Sequence, residues 1–529
     1  MPCGLVRAFE RAGIRSLFPW QVECLDNPRV LAGARNLLYF APTSAGKSLV
    51  AELLMLRGVL KQGRRALYIL PFVAIVQEKT AQLKALYSEV NVRVEALYSG
   101  SEVTVWSPLI DICVCTIEKG AAIATQLFGD PATARFLSLF VFDEFHLISD
   151  ASRGHTLETL VLKLQLAARR YPGYAPQIVA MSATLSAPER LADWLEADTF
   201  QGESRPAPLH EYFKIGKQLF TKDMQTRVTL NLQSESPLGP LPAKCKPAHG
   251  ELAALSSFYL ARGKPVIIFC ATKQECVTVA LSLADLLPRQ FDLSAGTQFS
   301  TFLEEYEKGR GGEVGTPFSK VKVLDEAGVA QRQALLKALG ETPARLCGVL
   351  RRTVPLGVAY HNADLSLEER VLVEEAYRAK TLLVLCATST LSTGVNLPTK
   401  AVIFQRPRIG QHFIDFAHYK QMAGRAGRTG FDSSGDAIML CTIDEKRKLD
   451  AMLAPGLDRP LLSALQPLHL CAALLETLNL GFVRDEPALQ TFLRSTLLFT
   501  LAAPPHEPCS ICRGGRRSPW TNEIPAKGI

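Results

Sequence analysis

The chain has 529 residues, of which 47% are hydrophobic and 21% are charged. One hydrophobic core does not extend over this length, so we expect about three or four domains and exclude a small binding module. The 59 Lys and Arg residues outnumber the 51 Asp and Glu residues, for a formal charge of +8. This mild basic excess fits a nucleic-acid groove but is equally common in other soluble enzymes.

The cysteines and the apolar runs indicate the compartment. Thirteen cysteines stand at irregular spacings, and an odd count argues against a secreted disulfide framework and for a reducing environment. No apolar run reaches about 18 residues, and the N-terminus lacks the pattern of a signal peptide. We therefore expect a soluble intracellular protein without a membrane partner.

Residues 1–205 are predicted to form a first α/β unit. Short β-rich apolar runs alternate there with longer stretches of helical spacing, which is typical of a parallel sheet. The predicted strands are Asn36–Phe40, Ala66–Leu70, Asp111–Cys115, Leu139–Phe142 and Gln177–Met181.

Residues 206–248 are predicted to be an irregular connector, because six prolines fall between Gln201 and His249. A second α/β unit is predicted over residues 249–454, with a long insertion at residues 287–329 that shows no periodicity. Its predicted strands are Pro265–Phe269, Val358–Tyr360, Leu382–Cys386, Ala401–Phe404 and Ala437–Leu440.

The pattern becomes helical after the second unit. Residues 455–501 are predicted to form a partial winged-helix or helical domain, in which Leu468–Leu480 is the best amphipathic segment. Residues 502–529 are rich in Pro, Gly and Arg, and we expect them to be a disordered tail.

A phosphate-binding motif directly follows the first predicted strand. A strand, a tight turn and a helix start point backbone N–H groups at one spot, which suits the phosphates of ATP. Lys47 would reach the β and γ phosphates, and the Ser48 hydroxyl would bind Mg²⁺. A chance Gly-Lys-Ser turn is the alternative, since Ala41 stands where the strict pattern has Gly. The motif comprises Ala41, Pro42, Thr43, Ser44, Ala45, Gly46, Lys47 and Ser48.

Two adjacent acids, Asp143 and Glu144, end the strand Leu139–Phe142. Neighbouring buried carboxylates are costly unless a cation lies beside them, and Mg²⁺ would serve. Asp143 would hold the metal shell, and Glu144 would orient or deprotonate the attacking water. An acidic exit from a strand is the alternative, which the upstream phosphate motif makes less attractive.

Six sequence blocks occur in an order that resembles the superfamily-two DExH-box helicases, and more narrowly the helicase domain of DNA polymerase theta and its relative HELQ. The similarity runs from about Leu17 to Thr500. It implies an α/β fold of two tandem RecA-like parallel-sheet domains followed by a partial helical or winged-helix domain. The blocks are Ala41–Leu54, Pro71–Lys79, Thr116–Lys119, Met181–Leu185, Ala387–Pro398 and Tyr419–Arg428.

The resemblance assigns further roles at the ATP site. It implies that Arg425 and Arg428 are arginine fingers, because a planar, permanently charged fork stabilises a transferring phosphoryl group. A solvated basic helix is the alternative for this pair. The other implied roles are adenine recognition by Gln21, coupling to domain closure by Ser182 and Thr184, contact with the nucleotide by Gly394 and Asn396, and water placement by Gln421.

The resemblance also implies a nucleic-acid path across both units. Its contacts would be to the phosphate backbone, which positions the strand without reading its sequence. In Gln405–His418, an aromatic tip with Phe413 and Phe416 would wedge a base pair open, while an ordinary loop with a packed Phe is as good an alternative. The expected backbone contacts are Pro71, Lys79, Thr116, Lys119, Lys273 and Thr388.

Three features depart from the family pattern. Phe145 replaces a smaller apolar residue, which we expect to alter packing without disturbing the acids. Asp364 replaces a glycine that lets the backbone approach DNA, so its charge is expected to weaken the grip there. The family continues into a ratchet domain that is missing here, which indicates a C-terminally truncated splice variant or an incomplete gene model.

The expected function is an ATP-dependent DNA helicase or translocase of the repair type, moving 3′ to 5′ on single-stranded or forked DNA. Nuclear localisation is implied by the family alone. An RNA helicase and a truncated product that binds nucleic acid without unwinding it are the alternatives. A metabolic P-loop kinase would not explain the second α/β unit.

Overall fold

The computed structural model describes the chain from residue 3 to residue 502, apart from a set of short segments. The predicted tail, most of the predicted insertion and the site residues Ser44, Thr184, Gly394, Asn396 and Arg428 lie outside the described residues. In the described part, no helix combines the length and the apolar character needed to cross a membrane. The omitted segments are residues 44, 102–106, 108, 130–133, 136, 151, 184–186, 203–204, 206, 217, 222–226, 230–245, 291–325, 343–346, 394–396, 398, 428–432 and 455–460.

The first unit is built on a seven-stranded sheet in which every pairing is parallel, in the order β3-β4-β2-β5-β6-β1-β7. All five predicted strands are confirmed, and two more, β3 and β7, form the edges. Continuous burial of the central strands explains their apolar sequences, because helices cover both faces. The strands are β1 Asn36–Phe40, β2 Arg65–Leu70, β3 Val94–Leu97, β4 Ile112–Thr116, β5 Leu137–Phe142, β6 Gln177–Ser182 and β7 Ala197–Gln201.

Helices cover the two faces of this sheet with separate apolar cores. One core takes residues from α1, α2, α4 and α5, and the other takes residues from α6, α7 and α8. The helices are α1 Cys3–Arg11, α2 Pro19–Leu25, α3 Pro28–Leu31, α4 Lys47–Gln62, α5 Val73–Tyr87, α6 Ile117–Phe128, α7 Gly154–Arg170 and α8 Pro188–Leu195.

The second unit has an eight-stranded sheet in the order β10-β9-β8-β17-β14-β11-β13-β12. Its five predicted strands are confirmed. The strands are β8 Leu209–Ile215, β9 Gln218–Thr221, β10 Arg227–Thr229, β11 Val266–Phe269, β12 Val358–His361, β13 Val384–Ala387, β14 Ala401–Phe404, β15 Arg408–Ile409, β16 His412–Phe413 and β17 Gly435–Cys441, of which β15 and β16 form a separate ribbon.

The prediction of an irregular connector over residues 206–248 was wrong in part. Strand β8 lies inside it and pairs in parallel with β17 over seven residue pairs, from Gly435 opposite Leu209 to Cys441 opposite Ile215. Strands β9 and β10 extend the sheet in antiparallel fashion. The prolines that suggested a loop flank these strands, while β8 is stabilised by a partner more than 200 positions away in the sequence.

Seven helices among the described residues surround the second sheet, and together they enclose one core. Two of them, α10 and α11, flank the predicted insertion, whose ends are therefore helical. The helices are α9 Pro247–Leu260, α10 Lys273–Gln290, α11 Glu326–Glu341, α12 Gly348–Thr353, α13 Leu367–Arg378, α14 Phe416–Ala423 and α15 Lys446–Leu453.

The final helices are α16 Pro467–Asn479, α17 Glu486–Arg494 and α18 Leu497–Ala502, which confirm the predicted amphipathic segment. They do not build a core of their own. Phe482, Phe492 and Leu497 join the core on the α6–α8 side of the first sheet. The indole N–H of Trp194, on α8, also donates to the carbonyl of Ser495 at 2.8 Å. We call residues 461–502 the helical cap of the first unit.

Candidate active site

The phosphate motif forms the turn between β1 and α4. Gly46 has a φ of 83°, and an added Cβ would lie 2.7 Å from Nε2 of Gln21, so both backbone conformation and space require glycine there. Lys47 is 9% exposed, and its Nζ donates to the carbonyls of Ala41 at 2.9 Å and Pro42 at 3.2 Å. The ammonium group is thus folded over the turn, where it would meet a phosphate.

The groups around Lys47 shift its pKa in opposite directions. Burial lowers the pKa of Lys47, while the carboxylates of Glu144 and Asp143 oppose that shift and Arg205 adds to it. A buried ammonium close to another cation is stabilised by an added anion. The turn is therefore suited to a polyphosphate.

Gln21 lies beside this turn and is 1% exposed. Its Oε1 accepts from the backbone N–H of Phe18 at 2.8 Å, and its Nε2 donates to the carbonyl of Gly46 at 2.9 Å. One end of the amide therefore caps the start of α2, and the other end links α2 to the phosphate turn. Adenine recognition by Gln21 stays a prediction, and it requires the side chain to exchange one of these bonds.

The two predicted carboxylates lie together at the carboxyl end of β5. The backbone N–H of Glu144 donates to Oδ1 of Asp143 at 2.8 Å, and Glu144 has a φ of 51°. Burial and the neighbouring Glu144 raise the pKa of Asp143 to about 6. Two adjacent acids show such a raised pKa when too little positive charge lies beside them. A divalent cation would supply that charge, so the pair fits a cation site.

His146 is a site residue to which the sequence analysis gave no role. Its Nδ1 lies 3.3 Å from Oε2 of Glu144 and 3.1 Å from Oγ of Ser182. Burial favours the neutral acid, but the hydrogen bond and charge of His146, with Lys47 and Arg425, hold the pKa of Glu144 at about 2. The imidazole therefore links the carboxylate of Glu144 to Ser182 on β6. In the sequence, only the position of His146 in the run Asp-Glu-Phe-His could have indicated this role.

Phe145 is fully buried, and its ring packs against Phe142 with centroids 5.7 Å apart at 65°. The larger side chain is therefore absorbed by the core on the α6–α8 side of the sheet. Asp143 and Glu144, which precede Phe145 in the sequence, stay at the end of β5.

The second unit contacts the phosphate turn directly. Helix α14 carries the half-buried Gln421 and ends at Gly424, where an added Cβ would overlap Oγ1 of Thr43. Arg425 follows, and its charge helps to lower the pKa of Glu144. The structure therefore brings Lys47, Glu144 and Arg425 into one electrostatic environment, although they come from both units.

The residues predicted to contact nucleic acid differ in their burial and in the groups that they bind. Nζ of Lys79 lies 2.9 Å from Oε1 of the buried Glu52, so this ammonium holds α5 against α4. Thr116 precedes α6 and is 6% exposed, and Oγ1 of Thr388 lies 2.9 Å from Oγ1 of Thr390. Lys273 is exposed and pairs with Asp364. DNA contact by these residues stays a prediction.

Arg153 connects two of the predicted contact segments. It donates to the carbonyl of Pro71, lies 3.6 Å from Oε1 of Glu118, and stacks its guanidinium 4.7 Å from the ring centre of Phe72. No sequence pattern indicates this role for Arg153, because nothing in its spacing distinguishes it from other surface arginines.

The predicted aromatic wedge was wrong. Strands β15 and β16 do form a short antiparallel ribbon, but its turn consists of Gly410 and Gln411. Phe413 and Phe416 pack instead against the core of the second unit. The alternative, a loop with packed phenylalanines, describes the segment correctly.

Comparison with known proteins identifies the family. A model of the DEAD/DEAH box helicases matches residues 19–191, and a model of the helicase conserved C-terminal domain matches residues 329–430. Mouse DNA polymerase theta is 35% identical over 513 residues, which are 94% of this chain and 19% of that protein. The human POLQ-like helicase is 34% identical over 452 residues, or 84% of this chain and 37% of that protein.

A further relative is the ATP-dependent DNA helicase Hel308 of Caldivirga maquilingensis, which is 30% identical over 467 residues, or 86% of this chain and 54% of that protein. The chain thus spans between about a fifth and about a half of the length of these relatives. Both halves of the helicase motor are matched in order, each on its own sheet. The chain therefore belongs to the superfamily-two helicases, and over most of its length it is similar to POLQ-like and Hel308 helicases.

Proposed function

We propose that this protein is a DNA-stimulated ATPase that moves along single-stranded DNA with 3′ to 5′ polarity and serves DNA repair in the nucleus. The observation that carries the proposal is the meeting of Glu144 from the first unit with Arg425 from the second, beside the turn that holds Lys47. The names of the relatives, which include DNA polymerase theta and an ATP-dependent DNA helicase, support DNA as the track.

ATP would bind with its phosphates on the turn Ala41–Ser48. Lys47 would exchange its two carbonyl partners for phosphate oxygens, since an ammonium gains more from an anion than from neutral acceptors. Ser48 and Asp143 would hold Mg²⁺, which supplies Lewis-acid stabilisation of the phosphates when bound. The shift of Asp143 toward its neutral form is the observation that fits this cation.

Glu144 would orient and deprotonate the attacking water, with Gln421 helping to place it. Its low pKa keeps it ionised at neutral pH, and His146 fixes its orientation from the side of Ser182. Arg425, with Arg428, would stabilise charge on the transferring phosphoryl group. Ser182 and Thr184 would couple this event to the movement of the second unit.

Nucleic acid would lie across both units on the face that carries Pro71, Thr116, Lys273 and Thr388. Contacts through backbone groups and hydroxyls favour sequence-independent binding. An RNA helicase uses the same kinds of contact, so the substrate test needs both polymers.

The test is the rate of ATP hydrolysis with no nucleic acid, with single-stranded DNA and with single-stranded RNA. We expect stimulation by DNA, and a loss of at least about 100-fold in Lys47→Ala and Glu144→Gln. Lys61→Ala, at the exposed end of the same helix α4, is the matched control and should keep full activity.

The same assay can also contradict the proposal. Stimulation by RNA alone would indicate an RNA helicase, and undiminished turnover in Lys47→Ala would refute the site. A strand-displacement assay on forked DNA, run alongside, separates an unwinding enzyme from a product that hydrolyses ATP without unwinding.

A further inference from the structure

Arg205 lies in the linker between β7 and β8, the segment that joins the two units. A single nitrogen of its guanidinium, Nη2, lies within hydrogen-bond distance of three carbonyls of the second unit, so one of its two hydrogens is shared. The acceptors are Gly424 at 3.2 Å, Gly427 at 2.9 Å and Ala426. These carbonyls surround Arg425, so the linker arginine holds the turn that presents the proposed arginine finger.

The contact also places Arg205 at the end of a helix. Gly424 is the C-terminal cap of α14, where helix carbonyls carry partial negative charge. The carboxylate of Glu211, which raises the pKa of Arg205, is bound to Tyr419 at 2.9 Å and to Lys420 at 2.9 Å on the same helix. Arg205 in the linker and Glu211 in the strand that follows it, β8, thus each secure α14.

The rest of the guanidinium is not satisfied. Nε and Nη1 of Arg205 are buried and have no hydrogen-bond partner among the described residues. Burial lowers the pKa of Arg205 to about 10. Two buried charged donors without acceptors are expensive, so a native protein retains them where a ligand supplies the acceptors.

The identity of that ligand follows from the neighbour of Arg205. Nη2 of Arg205 donates to the carbonyl of Gly424, and a Cβ added to Gly424 would overlap Oγ1 of Thr43 in the phosphate turn. The positive charge of Arg205 also lowers the pKa of Lys47, so the two cations share one environment at this turn. Like charges in a buried site are stabilised by an anion between them. Nε–H and Nη1–H point to different sides of the guanidinium, and each is a charged donor that a phosphate oxygen would satisfy.

We propose that Arg205 is a further nucleotide-binding residue, which takes a phosphate oxygen of ATP through Nε or Nη1 while Nη2 holds the turn that carries Arg425. This inference rests on the proposed function of the same site. One side chain then joins the phosphates, the linker and the finger, so occupancy of the nucleotide site sets the position of Arg425.

The test uses Arg205→Lys and Arg205→Gln. Lysine keeps the charge but cannot hold the carbonyl turn and a phosphate at the same time, because it lacks the fork. We expect the Kd for a non-hydrolysable ATP analogue and the KM for ATP to rise by about tenfold or more in both variants. Because Arg425 loses its support, kcat should fall as well.

Arg35→Lys is the matched control, since Arg35 pairs with Asp198 on β7 next to the linker at 3.1 Å and is 42% exposed. It should change neither Kd nor kcat. A purely structural role for Arg205 predicts a lower kcat with unchanged Kd and KM, and that outcome would overturn the proposal.

A crystal structure of the wild-type protein with the same analogue is the second measurement, and it does not depend on the variants folding. Nε or Nη1 should lie within hydrogen-bond distance of a phosphate oxygen, and a guanidinium facing only protein or solvent contradicts the inference. The variant Lys47→Ala separates a failure of the proposed function from a failure of this inference. Full ATPase in that variant refutes the proposed function itself, whereas loss of ATPase with unaltered nucleotide binding in the Arg205 variants refutes only this inference.

Discussion

Nζ of Lys273 lies 2.6 Å from Oδ1 of Asp364, and both side chains are more than half exposed. The lysine at the start of α10, which is a proposed phosphate contact, is therefore paired with an acid of the protein itself. A DNA phosphate must compete with this carboxylate, although an exposed ion pair is weak and easily exchanged.

Replacing that acid should strengthen DNA binding. Asp364→Asn removes the competing charge, so we expect affinity for single-stranded DNA to rise several-fold and the salt slope to steepen by about one ion. The measurement is a fluorescence-anisotropy titration at several salt concentrations. Asp285→Asn, which breaks the exposed pair with Arg352 on the same unit, is the control. Equal affinity in both variants would place Lys273 off the DNA path.

Arg425 is expected to act in the chemical step. Arg425→Ala should lower kcat by about 10³-fold or more with little change in DNA affinity, because the arginine stabilises charge that appears in the transition state. Arg425→Lys should recover little, since an ammonium lacks the planar fork. Steady-state ATPase kinetics check this, with Arg447→Ala on the exposed face of α15 as the control. A loss confined to DNA binding would contradict the assignment.

The helical cap should depend on Phe492, which is fully buried in the core of the first unit. Phe492→Ala leaves a cavity and is expected to destabilise the fold by about 3–5 kcal/mol. Thermal unfolding measures the effect, and limited proteolysis reports whether α17 detaches first. Leu493→Ala, on the same helix and 42% exposed, should be nearly neutral. Equal melting temperatures would mean that the cap does not share the core.

We expect acid to destabilise the contact between the helical cap and the first unit, where two histidines stack. The rings of His155 on α7 and His469 on α16 lie 4.0 Å apart at 7°, and burial together with the charge of His469 lowers the pKa of His155. The unfolded chain takes up this proton near pH 6.5, and the folded chain only at lower pH. The unfolded state therefore binds more protons, so the stabilisation is complete above about pH 6.5 and is lost as the pH falls.

Hydrogen exchange of α16 at pH 7.5 and pH 5.5 measures this loss, with intrinsic rates corrected for pH. His155→Phe keeps an aromatic ring without a titrating group and should flatten the dependence. His412→Phe, on an exposed position of β16, should leave it unchanged. An identical pH profile in the His155 variant would show that another group is responsible.

The sequence predicted ten of the strands because parallel strands buried on both faces are continuous apolar runs. Edge strands β3 and β7 were missed, since they are short and partly exposed. Lys47, Asp143 and Glu144 could be proposed from the sequence because each lies in a short local motif, the phosphate turn or the pair of acids after an apolar strand. Arg205 could not, because its partners Gly424 and Gly427 lie 219 and 222 positions away and no local pattern marks the contact.

Sharing of one core between the helical cap and the first sheet has a mechanical consequence. Residues 461–502 are held to the first unit by this core and by the hydrogen bond from Trp194 to Ser495. If the second unit moves during the proposed ATPase cycle, we expect the cap to stay with the first unit. Displacement of DNA would then be referred to a frame made of the first unit and its cap.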